Sequence, residues 1–337
     1  MEIFLISPNW IGDCVMSLPA VRALKALSPD LKIYIITKTH LSSIYMNIPE
    51  IDEVLSLPSG NLLKSFILNI MTLRKYKIKE GILFPNSFKS ALMLRLSGVK
   101  HLIGYKRDMR GWMLEKKKKF PGKYIHQIRS YLDLVSLYLG SIVEGSFSNI
   151  LIFSEDEKRK ALLILKENEY VDGEKLIGIS PAAAYGTSKE WPAVNFADLI
   201  NKLSGDIRNS RFVIFGSGND EDKINKISDL VSVQLIKITG EHTLREAISV
   251  ISECDVFIGN DSGLLHTADA AGVPSIGLFG PTSPETTSPP GDLTEIIYKS
   301  VECSPCSFRE CPIDHKCMNE ISVEEIFNKT EKILKSE

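Results

Sequence analysis

The sequence predicts an α/β fold in which two Rossmann-like domains, each with a parallel sheet, face each other across a cleft. Short β-rich runs alternate with amphipathic stretches of helix length through most of the 337 residues, which is typical of βα units that form a parallel sheet. These units occur in two series, separated by a charged helical stretch at residues 155–168. The chain is also longer than the ~250–300 residues at which a single core stops growing. Two domains are therefore expected.

The first series of elements begins at the N-terminus. Its first helix is predicted from apolar positions 18, 21, 24 and 27, which recur at helical spacing, and it should end before Pro29. Runs of β-branched and aliphatic residues predict the strands Ile3–Ser7, Lys32–Thr37, Val54–Leu57, Gly81–Phe84 and Leu102–Tyr105.

The second series follows the charged helix and ends in an amphipathic tail. Its predicted strands are Lys175–Ser180, Arg211–Phe215, Gln234–Ile238, Asp255–Ile258 and Pro274–Phe279. The tail 322–335 has apolar residues at helical spacing on a charged background, which predicts one last helix. The expected organisation is an N-terminal domain at 1–153, a C-terminal domain at 154–320 and a helix at 321–337.

Composition and charge exclude several classes of protein. Hydrophobic residues make up 44% and charged residues 24%, so the chain is expected to be globular. With 40 basic and 42 acidic residues the net charge is −2, which argues against nucleic acid as a general partner. No apolar run reaches the ~18 residues of a membrane span, and no basic region precedes the first apolar residues. We therefore expect a cytoplasmic protein.

The first strand leads into Pro8-Asn9-Trp10-Ile11-Gly12-Asp13, after which the first helix begins. Gly12 permits a tight turn and a close approach of a ligand to the backbone. Asp13 has two interpretations. It is the N-cap of the helix, a position that favours Asp, or it is a general base directed at a substrate hydroxyl.

A second segment, Gly259-Asn260-Asp261-Ser262-Gly263-Leu264-Leu265-His266, follows an apolar strand and opens an Ala-rich helix. Small residues at a helix start leave backbone amides directed outward, and the helix dipole favours an anion such as a diphosphate there. The alternative is an ordinary turn capped by Asp261 or Ser262, with His266 in a structural role.

A third segment, from Ser180 to Pro192, also joins a strand to a helix. Thr187, Ser188 and Lys189 lie in it and are suited to binding a phosphate oxygen. Alternatively, Lys189 is a solvated surface residue beside Glu190.

Basic residues are concentrated between Val99 and Arg129. The stretch contains Lys100, Lys106, Arg107, Arg110, Lys116, Lys117, Lys118, Lys119, Lys123 and Arg129, against two acids, Asp108 and Glu115. Such a surface suits an anionic lipid headgroup or a phosphorylated sugar. A merely solvated basic loop is the alternative.

Four of the six cysteines lie close together near the C-terminus, as C-x2-C-x4-C-x5-C. The first pair has the short spacing of a zinc site, whereas the second pair is looser. The possibilities are a structural zinc or reduced thiols with an occasional disulfide, at Cys303, Cys306, Cys311 and Cys317.

These segments together resemble glycosyltransferase family 9, the bacterial lipopolysaccharide heptosyltransferases, and most closely the ADP-heptose:LPS heptosyltransferase II type. The resemblance spans nearly the whole chain. Its carriers are Ser7–Asp13 with Ser17-Leu18-Pro19-Ala20, the Lys189-Glu190-Trp191-Pro192 loop, the Gly259–His266 segment running to Phe279-Gly280-Pro281-Thr282, and the cysteine-rich tail.

The resemblance implies a GT-B fold whose N-terminal domain binds the acceptor and whose C-terminal domain binds the nucleotide sugar. It implies transfer of a heptose from ADP-L-glycero-D-manno-heptose to the lipopolysaccharide inner core, onto the first heptose of Kdo2-lipid A. The chemistry would be inverting, with Asp13 as the base and no metal or other cofactor required. The run 220–222 is then the acidic first turn of a helix and not a metal motif.

The resemblance also implies roles for the other residues. Thr187, Ser188, Lys189 and the amides of Ser262, Gly263 and Leu264 would stabilise the diphosphate, with His266 beside it. Asp261 would orient donor hydroxyls or pair with Lys189. The basic stretch would meet the anionic inner core at the cytoplasmic face of the inner membrane, with Arg107, Arg110 and Lys123 as the expected contacts. The alternatives are a GT-B sugar-nucleotide epimerase and a non-catalytic protein that binds anionic sugars.

Overall fold

The computed structural model describes residues 1–58, 62–122, 125–145, 147 and 150–335. The chain divides into two compact units, Met1–Ile150 (unit 1) and Leu151–Glu337 (unit 2). Within the described residues each unit contains a six-stranded sheet in which every paired neighbour is parallel. The predicted pair of Rossmann-like parallel sheets is confirmed.

Unit 1 has the strand order β3-β2-β1-β4-β5-β6. A 3-10 helix at Thr39–Tyr45 lies between β2 and β3. The elements are β1 (Glu2–Ile6), α1 (Ile11–Leu27), β2 (Lys32–Lys38), β3 (Glu53–Leu57), α2 (Leu62–Arg74), β4 (Glu80–Leu83), α3 (Phe88–Ser97), β5 (His101–Lys106), β6 (Lys116–Lys119) and α4 (Gln127–Leu139).

The central position of β1 explains its sequence. It pairs with β2 at one edge and β4 at the other, and its residues are continuously apolar because both of its faces are also buried. Ile3, Phe4 and Leu5 are at most 1% exposed. The carboxyl end of this buried strand, where ligands usually bind in open α/β sheets, leads directly into α1.

Unit 2 has the strand order β12-β11-β10-β7-β8-β9. Its elements are α5 (Glu155–Glu167), β7 (Lys175–Ser180), α6 (Ala193–Asp206), β8 (Ser210–Phe215), α7 (Glu221–Ser228), β9 (Leu235–Ile238), α8 (Leu244–Ile251), β10 (Val256–Asn260), α9 (Gly263–Ala270), β11 (Ser275–Phe279), α10 (Pro284–Thr287), β12 (Thr294–Tyr298), α11 (Lys316–Asn319) and α12 (Val323–Lys335). Of these strands, β7 and β10 are adjacent at the centre of the sheet.

The last helix, α12, is part of unit 2. Its apolar residues Ile326, Phe327 and Leu334 join the core cluster that contains Phe196 and Leu199 of α6. This amphipathic pattern therefore reflects packing onto the sheet's own layer of helices. No helix in the described ranges is both long and apolar enough to cross a bilayer.

Two edge strands were not predicted from the sequence. One is β6, whose four lysines are all exposed and pair with β5. Lysine has a low β-propensity, but it is common on edge strands, where its charge opposes pairing with another chain. The other is β12, which pairs with β11.

Candidate functional site

Three adjacent strands of unit 2 deliver the polar residues of the predicted phosphate site. Gly259 of β10 lies opposite Ser180 of β7, and Gly259 also lies opposite Gly277 of β11. The carboxyl ends of parallel strands meet at one edge of the sheet. The segments that follow β7, β10 and β11 therefore emerge side by side.

The centre of this edge is a buried cluster of Lys189, Asp261 and Thr282. The Lys189 Nζ lies 2.5 Å from Asp261 Oδ2, and the Thr282 hydroxyl donates to the same oxygen at 2.5 Å. Lys189 is 9% exposed and Asp261 4%. Lys189 is therefore not the solvated surface residue of the alternative interpretation, and the expected pairing with Asp261 is present. Its ammonium also lies 5.0 Å from the centre of the Tyr185 ring, a cation–π distance.

Asn260, the last residue of β10, holds the loop that carries Lys189 in place. Its side chain accepts a hydrogen bond from the Trp191 amide at 3.0 Å and donates to the Pro181 carbonyl at 2.8 Å. Asn260 is fully buried, so both bonds are shielded from water and hold the two ends of the loop 181–191 to β10. Trp191 is anchored further by its indole N–H, which donates to the Ile321 carbonyl at 3.0 Å.

The first turn of α9 adjoins the cluster and has no side-chain cap. Ser262 occupies the N-cap position but its hydroxyl makes no cap hydrogen bond. That hydroxyl is buried and has no hydrogen-bond partner among the described residues. The Asp261 carboxylate bonds to Lys189 and Thr282 instead. The ordinary capped turn is therefore excluded, and the start of α9 keeps its positive dipole end and a hydroxyl for an anion.

The remaining residues of the predicted site differ in accessibility. Gly263 and Leu264, in the first turn of α9, are partly exposed. His266 belongs to the same helix but is only 4% exposed. Thr187 is exposed, in the 3-10 turn at Thr187–Lys189.

Ser188 requires a correction, because the structure uses it to anchor the loop. It is 2% exposed, and its hydroxyl donates to the Phe308 carbonyl at 2.5 Å. Its amide donates to the Arg309 carbonyl at 3.0 Å. A buried hydroxyl engaged in this way does not contact a phosphate. The sequence showed the hydroxyl but not the distant carbonyl that binds it.

The cysteine-rich tail therefore supports the loop that carries Lys189. Tyr185 donates its hydroxyl proton to the Ser307 carbonyl at 2.8 Å, and His315 Nε2 lies 2.6 Å from the Ser188 carbonyl oxygen. The contact is so close at Gly186, φ +155°, that an added Cβ would lie 2.2 Å from the Arg309 carbonyl oxygen. Only glycine fits at this position.

The acidic and thiol groups that suggested a metal lie in two places. As expected, Glu221 and Asp222 lie in the first turn of α7, while Asp220 accepts a hydrogen bond from the Ser217 amide at 2.8 Å. The cysteines of the tail are free thiols. Burial raises the pKa of Cys317 to about 11, with smaller contributions from the other three thiols. Among the described residues no three His, Cys, Asp or Glu side chains are grouped to hold a metal, and structural zinc stays a prediction.

In unit 1, Asp13 is the third residue of α1 and not its N-cap. The N-cap is Trp10, which makes no side-chain cap hydrogen bond. The N-cap interpretation of Asp13 was therefore wrong, because the helix starts three residues earlier than the Gly12 turn suggested. Asp13 is partly buried and hydrogen-bonds with the Tyr131 hydroxyl of α4.

The Tyr131 hydroxyl is a hydrogen-bond donor to the Asp13 carboxylate. Burial raises the pKa of Tyr131 well above its ordinary value, and the negative charge of Asp13 raises it further. The hydroxyl therefore stays protonated at all ordinary pH values. A neutral phenol donates a hydrogen bond to the carboxylate and places no second negative charge beside it.

The basic stretch forms a pocket at the surface of unit 1. Arg107 is exposed and its guanidinium stacks 4.9 Å from the centre of the Phe120 ring. The pocket has a volume of about 460 Å³ and is lined by Lys106, Arg107, Met109, Gly111, Trp112 and Lys117. Lys123, the third predicted acceptor contact, lies outside the described residues.

Arg110 requires a second correction, because it lies in the interior of unit 1. It is 0% exposed. Its guanidinium donates to the carbonyls of Pro85 at 2.5 Å and Tyr105 at 3.1 Å, and to Asn86 Oδ1 at 2.9 Å. Burial lowers the pKa of Arg110 to about 10, so it remains charged. The sequence does not show that these acceptors surround Arg110. Arg110 therefore supports the pocket from the interior and does not line it.

Replacing Arg110 with methionine should destabilise the protein by about 2–4 kcal/mol, because three charge-assisted hydrogen bonds of a buried guanidinium are lost. The matched control is Arg107→Met, which removes an exposed guanidinium and should cost less than about 0.5 kcal/mol. Urea unfolding of the two variants measures the difference. Equal unfolding midpoints for the two variants would mean that the hydrogen bonds of Arg110 do not stabilise the fold.

Three residues of the two sites were missed by sequence reasoning. Thr282 lay within a segment of the family resemblance, but nothing in its neighbours indicated a bond to Asp261. Asn260 carried no signal beyond its place in a small polar segment. Tyr131 is far from Asp13 in sequence, and only the packing of α4 on α1 brings them together.

Known proteins resemble this chain over most of its length. A family model described as glycosyltransferase family 9 (heptosyltransferase) matches residues 70–317. The chain is 29% identical to lipopolysaccharide heptosyltransferase 2 of Salmonella typhimurium, over 88% of each chain. It is 26% identical to lipooligosaccharide heptosyltransferase 2 of Campylobacter jejuni, over 100% of this chain and 99% of the relative.

Solved structures support the same fold. The structure of E. coli ADP-heptose LPS heptosyltransferase II matches with a TM-score of 0.84 and 24% identity, over 100% of this chain and 99% of that one. A family 9 glycosyltransferase from Veillonella parvula matches with a TM-score of 0.87 and 19% identity, over 100% and 97%. The predicted GT-B fold is thereby confirmed, and the chain belongs to glycosyltransferase family 9, the heptosyltransferases.

Proposed function

We propose that this protein transfers a heptose from ADP-L-glycero-D-manno-heptose to the inner core of lipopolysaccharide, onto the first heptose of Kdo2-lipid A. The observation that carries the proposal is the cluster of Lys189, Asp261 and Thr282 beside the uncapped start of α9. Family membership and the similarity to lipooligosaccharide and lipopolysaccharide heptosyltransferases support the choice of donor and acceptor.

In this proposal unit 2 binds the donor through its diphosphate. The Lys189 ammonium has two protons left after its bond to Asp261 and donates them to phosphate oxygens. The Ser262 hydroxyl and the amides of Ser262, Gly263 and Leu264 add neutral donors at the positive end of α9. Thr187 contributes a hydroxyl from the loop, and His266 lies beside the diphosphate. These groups stabilise the charge that develops on the leaving ADP.

Asp13 of unit 1 acts as the general base. Its carboxylate removes the proton of the acceptor hydroxyl as that oxygen bonds to the anomeric carbon of the heptose. The bond between that carbon and the diphosphate oxygen breaks in the same step, and ADP leaves with the electron pair. Attack opposite the leaving group inverts the configuration, which NMR of the product's anomeric centre can test.

The reaction requires no metal cofactor in this proposal. In reactions with a nucleoside diphosphate leaving group, a divalent metal supplies positive charge to the diphosphate. Here Lys189 and the start of α9 supply that charge. Dialysis against a chelator should therefore leave the rate unchanged. A rate restored only by Mg²⁺ or Mn²⁺ would contradict this part of the proposal.

The pocket of unit 1 around Arg107 and Lys117 binds the anionic inner core. Both side chains are exposed, and Lys117 Nζ donates to the Gly111 carbonyl at 3.0 Å, which holds it over the pocket. Arg110 does not contact the acceptor, because it is buried. The acceptor is lipid-linked, so the proposed location is the cytoplasmic face of the inner membrane.

Charge reversal in this pocket should weaken acceptor binding only. We expect the double variant Arg107→Glu and Lys117→Glu to raise the acceptor KM by about 10-fold or more, since each lost charge-assisted bond is worth about 1.5–3 kcal/mol. The donor KM should not change. Lys226→Glu with Lys332→Glu, on exposed lysines of unit 2, is the matched control. A rise in the donor KM alone would contradict the assignment.

An assay of ADP release tests the function as a whole. We expect release from ADP-heptose with Kdo2-lipid A that already carries one heptose, and little release with Kdo2-lipid A itself. Turnover of the donor without any acceptor would favour the epimerase. Binding of ADP-heptose with no ADP released under any condition would favour the non-catalytic sugar-binding protein.

A further inference from the structure

The helix α2 of unit 1 is apolar on its outer side as well as its inner side. Its inner side contributes Ile70 and Leu73 to the core of unit 1. On the outer side four large apolar residues are exposed to solvent: Leu63 at 68%, Ile67 at 49%, Leu68 at 51% and Met71 at 58%. We refer to these four residues as the outer face of α2.

The spacing of these residues makes a continuous patch. Leu63, Ile67 and Met71 are four residues apart, so they lie one above another on the helix surface, and Leu68 lies beside them. A surface helix ordinarily carries polar residues on its outer side. Contiguous exposed apolar groups rimmed by polar residues mark an interaction surface.

The sequence segment that contains α2 carries charges of one sign. From Val54 to Lys79 the sequence contains no acidic residue, whereas it contains five basic ones, Lys64, Arg74, Lys75, Lys77 and Lys79. All five are exposed. Lys89 of α3 adds a further positive charge, 5.7 Å from the centre of the Phe66 ring. The partner of this surface is therefore apolar at its centre and anionic around it.

We propose that the outer face of α2 docks on the surface of an anionic phospholipid bilayer. The helix lies in the plane of the membrane, with the four apolar side chains at the boundary of headgroups and acyl chains and the basic side chains on the lipid phosphates. A second copy of this chain fits less well. It would bring two sets of five basic residues together, and their like charges would repel.

This docking deepens the proposed function and rests on it for its purpose, since a lipid-linked acceptor lies in such a surface. Bilayer binding itself is independent of catalysis. A helix held at the membrane raises the local concentration of the enzyme near its acceptor without touching the reacting groups. The two properties can therefore be measured separately.

The test is a triple variant, Leu63→Ser, Ile67→Ser and Met71→Ser, in the full chain. Its matched control is Leu163→Ser, Val194→Ser and Leu230→Ser, which removes aliphatic groups that are 53%, 49% and 47% exposed in unit 2. Flotation with vesicles of phosphatidylglycerol and phosphatidylethanolamine measures binding. We expect the α2 variant to bind at least ~10-fold more weakly, the control to bind like wild type, and phosphatidylcholine vesicles to bind little of any protein.

Each other outcome overturns the proposal. Equal vesicle binding by the α2 variant and wild type would do so, and so would a wild-type dimer that the α2 variant alone converts to a monomer in sedimentation analysis. Matching thermal midpoints exclude a folding defect, because the substituted side chains are already exposed.

Activity separates this proposal from the proposed function. We expect the α2 variant to lose rate on acceptor in vesicles and to keep it on a lipid-free inner-core oligosaccharide. Loss on both acceptors would contradict a docking role. A wild-type protein that binds vesicles but transfers no sugar would refute the proposed function and leave the docking surface standing.

Discussion

Replacing Asp13 with asparagine should reduce turnover by ~10²–10⁴-fold, the usual contribution of a general base. Asparagine has the same shape and can still hydrogen-bond with Tyr131, so α1 and its contact with α4 should be preserved. The affinity for ADP should be unchanged, because every proposed diphosphate contact belongs to unit 2. Steady-state kinetics and calorimetric titration of ADP measure the two quantities on the same preparation.

Asp30→Asn is the matched control for this substitution. Asp30 is exposed and follows α1 at its other end, so the same chemical change there should leave the rate as in wild type. If Asp13→Asn turns over at the wild-type rate, Asp13 is not the base. If it loses ADP affinity in proportion to rate, the division of roles between the two units is wrong.

Replacing Lys189 with alanine should weaken ADP binding by about 10–100-fold, the value of a charge-assisted hydrogen bond of about 1.5–3 kcal/mol. The rate should fall by ~10²–10³-fold, because the same charge stabilises the leaving group. Unlike Asp13→Asn, this change affects binding and rate together. It also leaves Asp261 buried beside Thr282 with no cation, and its negative charge then repels the diphosphate.

A second variant distinguishes these two effects. Adding Asp261→Asn to Lys189→Ala removes the uncompensated carboxylate, and ADP affinity should remain low if the ammonium itself contacts phosphate. A return to wild-type affinity would show that Lys189 acts only through Asp261. Lys175→Ala is the control, since Lys175 is also ion-paired, 3.0 Å from Asp255, but lies at the opposite end of β7.

The fold was largely predictable from sequence because most of its strands are buried on both faces. Ten apolar runs rich in β-branched residues correspond to ten central and flanking strands, with ends within one or two residues. The strand β6 escaped prediction because an edge strand of lysines has no apolar pattern at all. Its position is set by pairing with β5, which is a tertiary effect.

The positions of the candidate site residues were predictable where local backbone geometry defines them and not where distant partners do. Ser262 and Gly263 follow from a strand, a small-residue turn and a helix start, and the structure has these in that order. Arg110 and Ser188 failed for a common reason. Each is a polar residue in a segment whose composition suits an anionic ligand. Each is nevertheless buried, with its side chain hydrogen-bonded to a carbonyl group that is distant in the chain.

Mass spectrometry of the acceptor tests the central claim most directly. After incubation with ADP-heptose, Kdo2-lipid A that carries one heptose should gain the mass of one further heptose, with one ADP formed per acceptor converted. The Asp13→Asn variant should give neither product at a comparable rate. An acceptor of unchanged mass while wild-type protein consumes ADP-heptose would contradict the account.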